Sequence, residues 1–467
     1  MNENLLTLKE QLLRLYDRQN GSFADVPDFL SDQRKFSLEH FRTIGFPTKA
    51  NEYWKGTDLE KLLGTNYEFG NDLKIDHGLD VNHVFKCEIH NFESLFFANY
   101  NGYNLYDTVQ LKRLESGVIA GSINQAMKEY PEIVKRFFDQ SSAVSYNGLT
   151  ALNVALATDG LFIYVPENVH CETPMQLVNL IRHPRSAFLQ TRNLIILEKN
   201  SSLTFLQCDD SLEDRNSFKN SVSEFFIAEG ARLDHYKLQN KDITSAMVNT
   251  SFFNIETKGI LHSNIITFNA GAIRNEFIVN LNGREASADL SGLYLIDKTQ
   301  HVDNQLFVKH NAPECTSRQT FKGILDDEAG AVFTGHIYVA EGAVKTQAYQ
   351  SNKNILLTDT ASVMSKPFLE IYNDDVKCSH GSTTGQIDRD AMFYLQQRGI
   401  CEKNARMLMM YAFADEVVRK IEVERLQHRT EDMIHRRLKG ELSSCDQCIL
   451  HCNPDHITPF QIDERLL

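Results

Sequence analysis

Two periodicities divide the chain. Near the start, Leu5, Leu8, Leu12 and Leu15 recur at steps of three and four. That apolar stripe predicts an amphipathic helix, ended by Asn20-Gly21. Residues 29–63 read as further short helices interrupted at Pro47, with Leu59, Leu62 and Leu63 on one face and Trp54 as a packing anchor. Val84 to Ile89 has strand character, and Ile123 to Phe138 returns to the helical period. From Leu161 the pattern changes. Short aliphatic and aromatic runs, among them Leu194-Ile195-Ile196-Leu197, Asn275-Glu276-Phe277-Ile278-Val279 and His336-Ile337-Tyr338-Val339, are separated by Gly, Asn and Asp. No long helical stripe returns before Asp388.

Three of the β-rich runs end alike: Leu197-Glu198-Lys199-Asn200-Ser201-Ser202-Leu203, Ile227-Ala228-Glu229-Gly230-Ala231-Arg232-Leu233 and Val339-Ala340-Glu341-Gly342-Ala343-Val344. Strand, tight turn, strand, with no helix between, fits a parallel β-solenoid in which each turn stacks on the last. A two-sheet sandwich or jelly roll gives similar runs, and the pattern by itself leaves both open. Asp388 can cap a helix that Gly399 would end. The next helix carries Ala405, Leu408, Met409, Ala412 and Val417 as a stripe expected to face the core. Met407, Leu408, Met409 and Met410 together place apolar atoms on more than one face, as at a surface where a partner docks.

With 467 residues, 42% of them hydrophobic, the chain is long enough to bury a large core. A net charge of −14 without a dense basic run excludes a nucleic-acid-binding surface. The first ten residues are charged and amphipathic rather than a signal sequence, and no apolar segment approaches a membrane span. Scattered single cysteines fit a reduced, cytoplasmic protein. Gly-Lys, His-Glu-x-x-His and Gly-x-Ser-x-Gly are all absent, so no phosphate-cradling loop, metalloprotease helix or nucleophile elbow is expected.

The richest stretch is Asn373-Asp374-Asp375-Val376-Lys377-Cys378-Ser379-His380-Gly381-Ser382-Thr383-Thr384-Gly385-Gln386. If it is extended, Cys378 and His380 leave the same face, and thiolate and imidazole are donors that iron and zinc accept. Two donors do not close a site, and an ordinary strand end would carry the same spacing. Cys87, Cys171, Cys208, Cys315 and Cys401 read as small apolar fillers, and His301, His310 and His336 as hydrogen-bonded structural residues. In the tail, Cys445, Cys448 and Cys452, with His456 four residues on, can satisfy a tetrahedral metal ion or hold three corners of a cluster. A short polar tail with free thiols is the other reading.

The run Asp374 to Gln386 and its continuation to Ile400 resemble the signature of the SufD family, scaffold subunits of the Suf iron–sulfur cluster assembly system. So do Pro313-Glu314-Cys315-Thr316-Ser317-Arg318, Phe321 to Leu325, Lys366-Pro367-Phe368-Leu369-Glu370-Ile371, Leu152-Asn153-Val154-Ala155 and Asp159 to Pro166. Gly45-Phe46-Pro47-Thr48 and Glu52 to Leu59 look like the family's N-terminal motif, so the similarity runs from about residue 45 to about residue 425. The resemblance implies a mainly β protein, with a parallel, right-handed β-helix between helical ends. Expected divisions are a helical and mixed region at 1–150, a β-helix core at 151–386, a C-terminal helical domain at 387–440 and a Cys-rich tail at 441–467. It also implies a non-catalytic role, with pairing to SufB through the β-helices and the SufC ATPase docked on the C-terminal helices. His380 matches the family histidine credited with the nascent iron–sulfur cluster and Cys378 its neighbouring cysteine; the resemblance implies both as cluster-binding residues, with the missing donor supplied by a cysteine of SufB. No tightly bound cluster is expected in the isolated chain, which could pair with itself.

Three other readings compete. A SufB-like scaffold would carry a more acidic sequence where Val376-Lys377-Cys378-Ser379-His380 stands. A β-helix enzyme acting on acidic polysaccharide would show a signal peptide and a basic groove. A metal-storage or redox protein would rest on the tail cysteines alone.

Overall fold

The computed structural model describes residues 3–19, 27–63, 67–69, 73, 94–104, 111–138, 146–211, 216–269 and 271–439. The strand expected at Val84 to Ile89, Cys87 and the whole Cys-rich tail, with Cys445, Cys448, Cys452 and His456, lie outside the described residues.

From Leu161 to Gly385 the backbone alternates between two parallel sheets. Consecutive strands fall on opposite sheets, and each pairs with the strand one full turn later. Phe218 aligns with Ala246, Ala246 with Ala272, Ala272 with His301, His301 with Gly330 and Gly330 with Ser362. This is the parallel β-solenoid, and the spacing rules out a sandwich, whose neighbouring strands run mostly antiparallel. The first sheet ends on Ser362–Ile371 and the second on Val376–Gly385. At the other end, Leu95–Tyr100 pairs parallel with Met175–Ile181, and Ile119–Ser122 pairs antiparallel with Leu161–Val165.

The turns stack as regularly as the strands. Asn168, Asn200, Gly230, Lys258, Glu285, Glu314 and Lys345 all hold positive φ at one corner. Each donates its backbone N–H to a carbonyl of the next turn, as Asn200 does to Glu229 and Gly230 to Thr257, both at 2.9 Å. The turns at Glu198-Lys199-Asn200 and Glu229-Gly230 seen in the sequence are this corner, while in the third, at Glu341-Gly342, the positive φ falls on Lys345. Gly230 suits it because φ is 67° there.

Inside the bore, Phe225 and Phe253 stack with centroids 4.5 Å apart, and Phe277 continues the column 6.3 Å from Phe253. Outside, the N-terminal helices Glu3–Gln19 and Asp28–Ile44 share a core with Phe188, Phe218 and Val248 of the first sheet. Helix Gly148–Leu156 is wholly buried, and Asn153 donates to the carbonyls of Thr191 (3.0 Å) and Asn220 (3.1 Å), bridging two turns.

The C-terminal helices Glu402–Val418 and Glu424–Lys439 cover the outer face of the second sheet. Here the expected stripe is corrected. Ala405 and Val417 are buried as expected, but their companions are Met407, Met410, Ala414 and Val418, while Leu408 and Met409 are half-buried and Ala412 is exposed. Nearly every turn of this helix is apolar, so several stripes fit its composition and tertiary packing selects one. Met407 and Met410 therefore turn toward the solenoid, and Leu408 and Met409 keep part of their surface open to solvent. Cys401 is also corrected: it is exposed, preceding the first residue of that helix.

Candidate functional site

Val376–Gly385 is the last strand of its sheet and bonds to Thr346–Leu356 on one side only. Because the pairing is parallel and in register, aligned side chains share a face. Cys378 aligns with Ala348, which aligns with Ser317 and then Ala288. His380 aligns with Gln350, Gln319 and Leu290 in the same way. Ala288 and Leu290 belong to the core of the bore. Cys378 and His380 thus lie side by side on the inward face of the terminal turn, as the spacing predicted. Among the described residues, no further turn covers them. Ser382, next on that face, meets Ser365 of the opposite sheet at 2.8 Å between hydroxyl oxygens.

The two donors differ in environment. Cys378 is half-buried against Ile337, Val339 and Ala348, and this burial pushes its thiol above the ordinary range. His380 is exposed. A thiol must lose its proton to bind a metal, so Cys378 waits in its neutral form. An arriving cation, or a positively charged partner, would favour the thiolate.

Beneath His380 lies a feature that motif reading missed. The buried side-chain amides of Gln319 and Gln350 have no hydrogen-bond partner among the described residues. Gln350 reaches across the bore to Gly335, where a Cβ would sit 1.2 Å from its Nε2, so a larger residue there would displace the amide. The terminal turn therefore has a polar floor, of the kind a water or a ligand satisfies. The interval between Gln319, Gln350 and His380, one solenoid turn each, is the sequence signal that could have revealed it.

The other sequence candidates separate cleanly. Cys315 is buried, its Sγ 3.2 Å from the Gly283 carbonyl; Cys171 and Cys208 are half-buried. Burial pushes the Cys171 thiol up to about 11. His310 meets the Ser317 hydroxyl at 2.9 Å, His301 the Thr57 hydroxyl at 3.0 Å, and His336 both Tyr53 and Glu370 at 3.0 Å. Among the described residues, Asp234, His262 and Glu422 also converge within 4.8 Å. Arg232 fills that place, however, with Nε 2.9 Å from Asp234 and a terminal nitrogen 2.6 Å from Glu422. The cluster is an ion-paired clasp holding the link between the C-terminal helices to the solenoid.

A stacked parallel β-solenoid flanked by helices, with a thiol and an imidazole on the inward face of its last strand, defines the class of solenoid scaffold proteins. The chain belongs to the SufBD family of the SUF system for iron–sulfur cluster assembly, whose core-domain model matches residues 180–413 and whose N-terminal-region model matches residues 6–177. It is 28% identical to the iron–sulfur cluster assembly protein SufD of Escherichia coli, over 88% of this chain and 93% of that one. It is 27% identical to SufD of Bacillus subtilis (70% and 75% covered) and to a SufBD family protein of Synechocystis (94% and 96%). A role in iron–sulfur cluster assembly follows.

Proposed function

We propose that this chain is the non-catalytic, SufD-type wall of a nascent-cluster site in the cytoplasm, with Cys378 and His380 as its donors. The observation that carries this reading is their placement together on the uncovered inward face of the terminal turn. The partner is a second solenoid of SufB type. It would cover the open end and supply the remaining thiolate, so that the cluster is held transiently between the two chains.

Apolar surface around that end supports a partner. Met364, Phe368 and Ile371 on the last strand of the first sheet are exposed, as are Phe393 and Tyr394 on helix Arg389–Gln397, which buries no residue at all. Exposed aromatic and methionine side chains gathered at one end mark an interaction surface. The SufC ATPase is assigned to the C-terminal helices. A cavity of about 400 Å³ opens there between Met407, Met410 and the solenoid residues Leu295 and Ile324.

Reconstitution with SufB, SufC, ferrous iron and sulfide tests the proposal. His380→Ala should leave the circular dichroism of the chain unchanged and abolish cluster formation in the complex. A variant that assembles clusters at the wild-type rate refutes it.

A further inference from the structure

The outer face of the last turn holds a second set of donors, of different chemistry. His336 stands on Gly330–Val339, Glu370 on the neighbouring Ser362–Ile371, and Tyr372 follows immediately. His336 Nε2 lies 3.0 Å from Glu370 Oε2, and the Tyr372 hydroxyl donates to Glu370 Oε1 at 2.7 Å. On the far side of the imidazole, Nδ1 lies 3.0 Å from the hydroxyl of Tyr53, contributed by the N-terminal segment. The rings of Phe307 and Phe368 flank the imidazole at 4.6 and 5.9 Å. Tyr372 and Glu370 are 55% and 41% exposed in side chain or residue, whereas His336 is nearly buried.

We propose that His336, Glu370 and Tyr372 form a binding site for ferric ion, with Tyr53 orienting the imidazole. Imidazole, carboxylate and phenolate are a harder donor set than the thiol of Cys378, and hard oxygen donors suit the trivalent ion. The imidazole and the phenol each approach one oxygen of the Glu370 carboxylate, at 3.0 and 2.7 Å, close to the spacing of adjacent corners of a coordination shell whose bonds are about 2.0–2.2 Å long. The support around the imidazole is also that of a metal ligand: one ring nitrogen faces the site, while the other is held by a hydrogen-bonding group. Three protein donors at an exposed position leave the other coordination places to water, so the ion can enter and leave.

The protons balance. In the empty site His336 donates from Nε2 to Glu370 and accepts at Nδ1 from Tyr53. On binding, the imidazole proton resides on Nδ1 and is donated to the Tyr53 oxygen, which a phenol can accept. Nε2 then gives its lone pair to the iron. Tyr372 releases its phenolic proton to solvent, one proton per ion bound. No electron is transferred. The inference rests on the cluster-scaffold reading only for why iron reaches this chain; the donor geometry stands apart from Cys378 and His380, which lie on the other sheet.

The test adds one equivalent of ferric citrate to the full chain at neutral pH. Iron bound to phenolate gives a visible charge-transfer band, so the protein should colour and release one proton. Tyr372→Phe should abolish the band with circular dichroism unchanged, and Glu370→Gln should weaken binding. Tyr53→Phe should raise the dissociation constant about 10-fold or more, since a lost outer-shell partner costs about 10–100-fold. The double variant Cys378→Ser/His380→Ala should keep the band, so that failure of the cluster site leaves this result intact. No band at one equivalent, or a band undiminished in Tyr372→Phe, overturns the proposal.

Discussion

Replacing Arg274 by Met should be among the most destabilising single changes outside the apolar core. Arg274 is 1% exposed, donates from Nε to Glu276 at 2.8 Å and pairs with Asp303, and its guanidinium lies 3.9 Å from the Trp54 ring centroid. Asp303 also accepts from Thr57, so this cation holds in place the carboxylate to which the segment Glu52 to Leu59 is tied, alongside the Tyr53–His336 and Thr57–His301 bonds. Methionine keeps most of the contact with the indole but leaves two carboxylates buried without a counter-charge. Removing one partner of a buried ion pair costs about 3–5 kcal/mol. At about 1.4 kcal/mol per tenfold, the folding equilibrium should fall by about two to four decades.

Trp54 is the only tryptophan, so its fluorescence during urea unfolding reports on this site directly. Far-ultraviolet circular dichroism, followed in parallel, shows whether the solenoid unfolds with it. The triple variant Arg274→Met/Glu276→Gln/Asp303→Asn should recover part of the loss, because no unpaired charge remains. A loss below about 1 kcal/mol, or a triple variant no better than the single one, would refute the reasoning.

Phe253→Ala removes a fully buried ring from the stacked column, at a cost of about 3–5 kcal/mol in urea unfolding; a loss near that of a surface change would show that the bore collapses to fill the gap. Acid should destabilise the fold. Burial lowers His235 to about 3 and His310 to about 4, so the unfolded chain binds more protons below its ordinary value of about 6.5, and stability falls as pH drops from there toward 4. Asp159 opposes this: burial raises it to about 6, so the folded chain takes up its proton first, and Asp159→Asn should steepen the acid decline in urea midpoints measured between pH 6 and 4. Gly230→Ala places a Cβ at positive φ and 2.5 Å from Asn200 Oδ1, and should lower stability by about 1–3 kcal/mol, read by thermal unfolding.

The solenoid was half legible. Its turns, Glu198-Lys199-Asn200 and Glu229-Gly230, repeat because positive φ and stacked backbone bonds restrict what each corner accepts. The choice between solenoid and sandwich depends on which strands pair, and pairing between residues a full turn apart leaves little trace in a local window. Cys378 and His380 were legible for the opposite reason, since a two-residue step fixes a shared face in any strand. Gln319 and Gln350 were not, because buried glutamines follow no local period. The buried face of Glu402–Val418 went astray where apolar residues surround the helix, so that the surface it meets, rather than its own pattern, decides which of them are covered. His336 looked like an ordinary structural histidine. Its partners Tyr53 and Glu370 lie 283 and 34 residues away in sequence, out of reach of any motif.

The uncovered end gives a reason why the proposed donor set stops at two. In a solenoid every inward residue is roofed by the next turn, and a metal donor placed in the middle would be sealed from its ion. Only the terminal strand can present inward-facing groups to the outside. Among the described residues, that same strand leaves one row of backbone donors and acceptors without a neighbouring strand, an edge that natural sheets cover or blunt. In the arrangement proposed above, a chain that covers the edge would also supply the missing ligands and exclude water from the thiol. Edge and half-site are then one requirement, and substitutions that weaken the apolar rim at Phe368 or Phe393 should impair cluster assembly even though neither side chain can bind a metal.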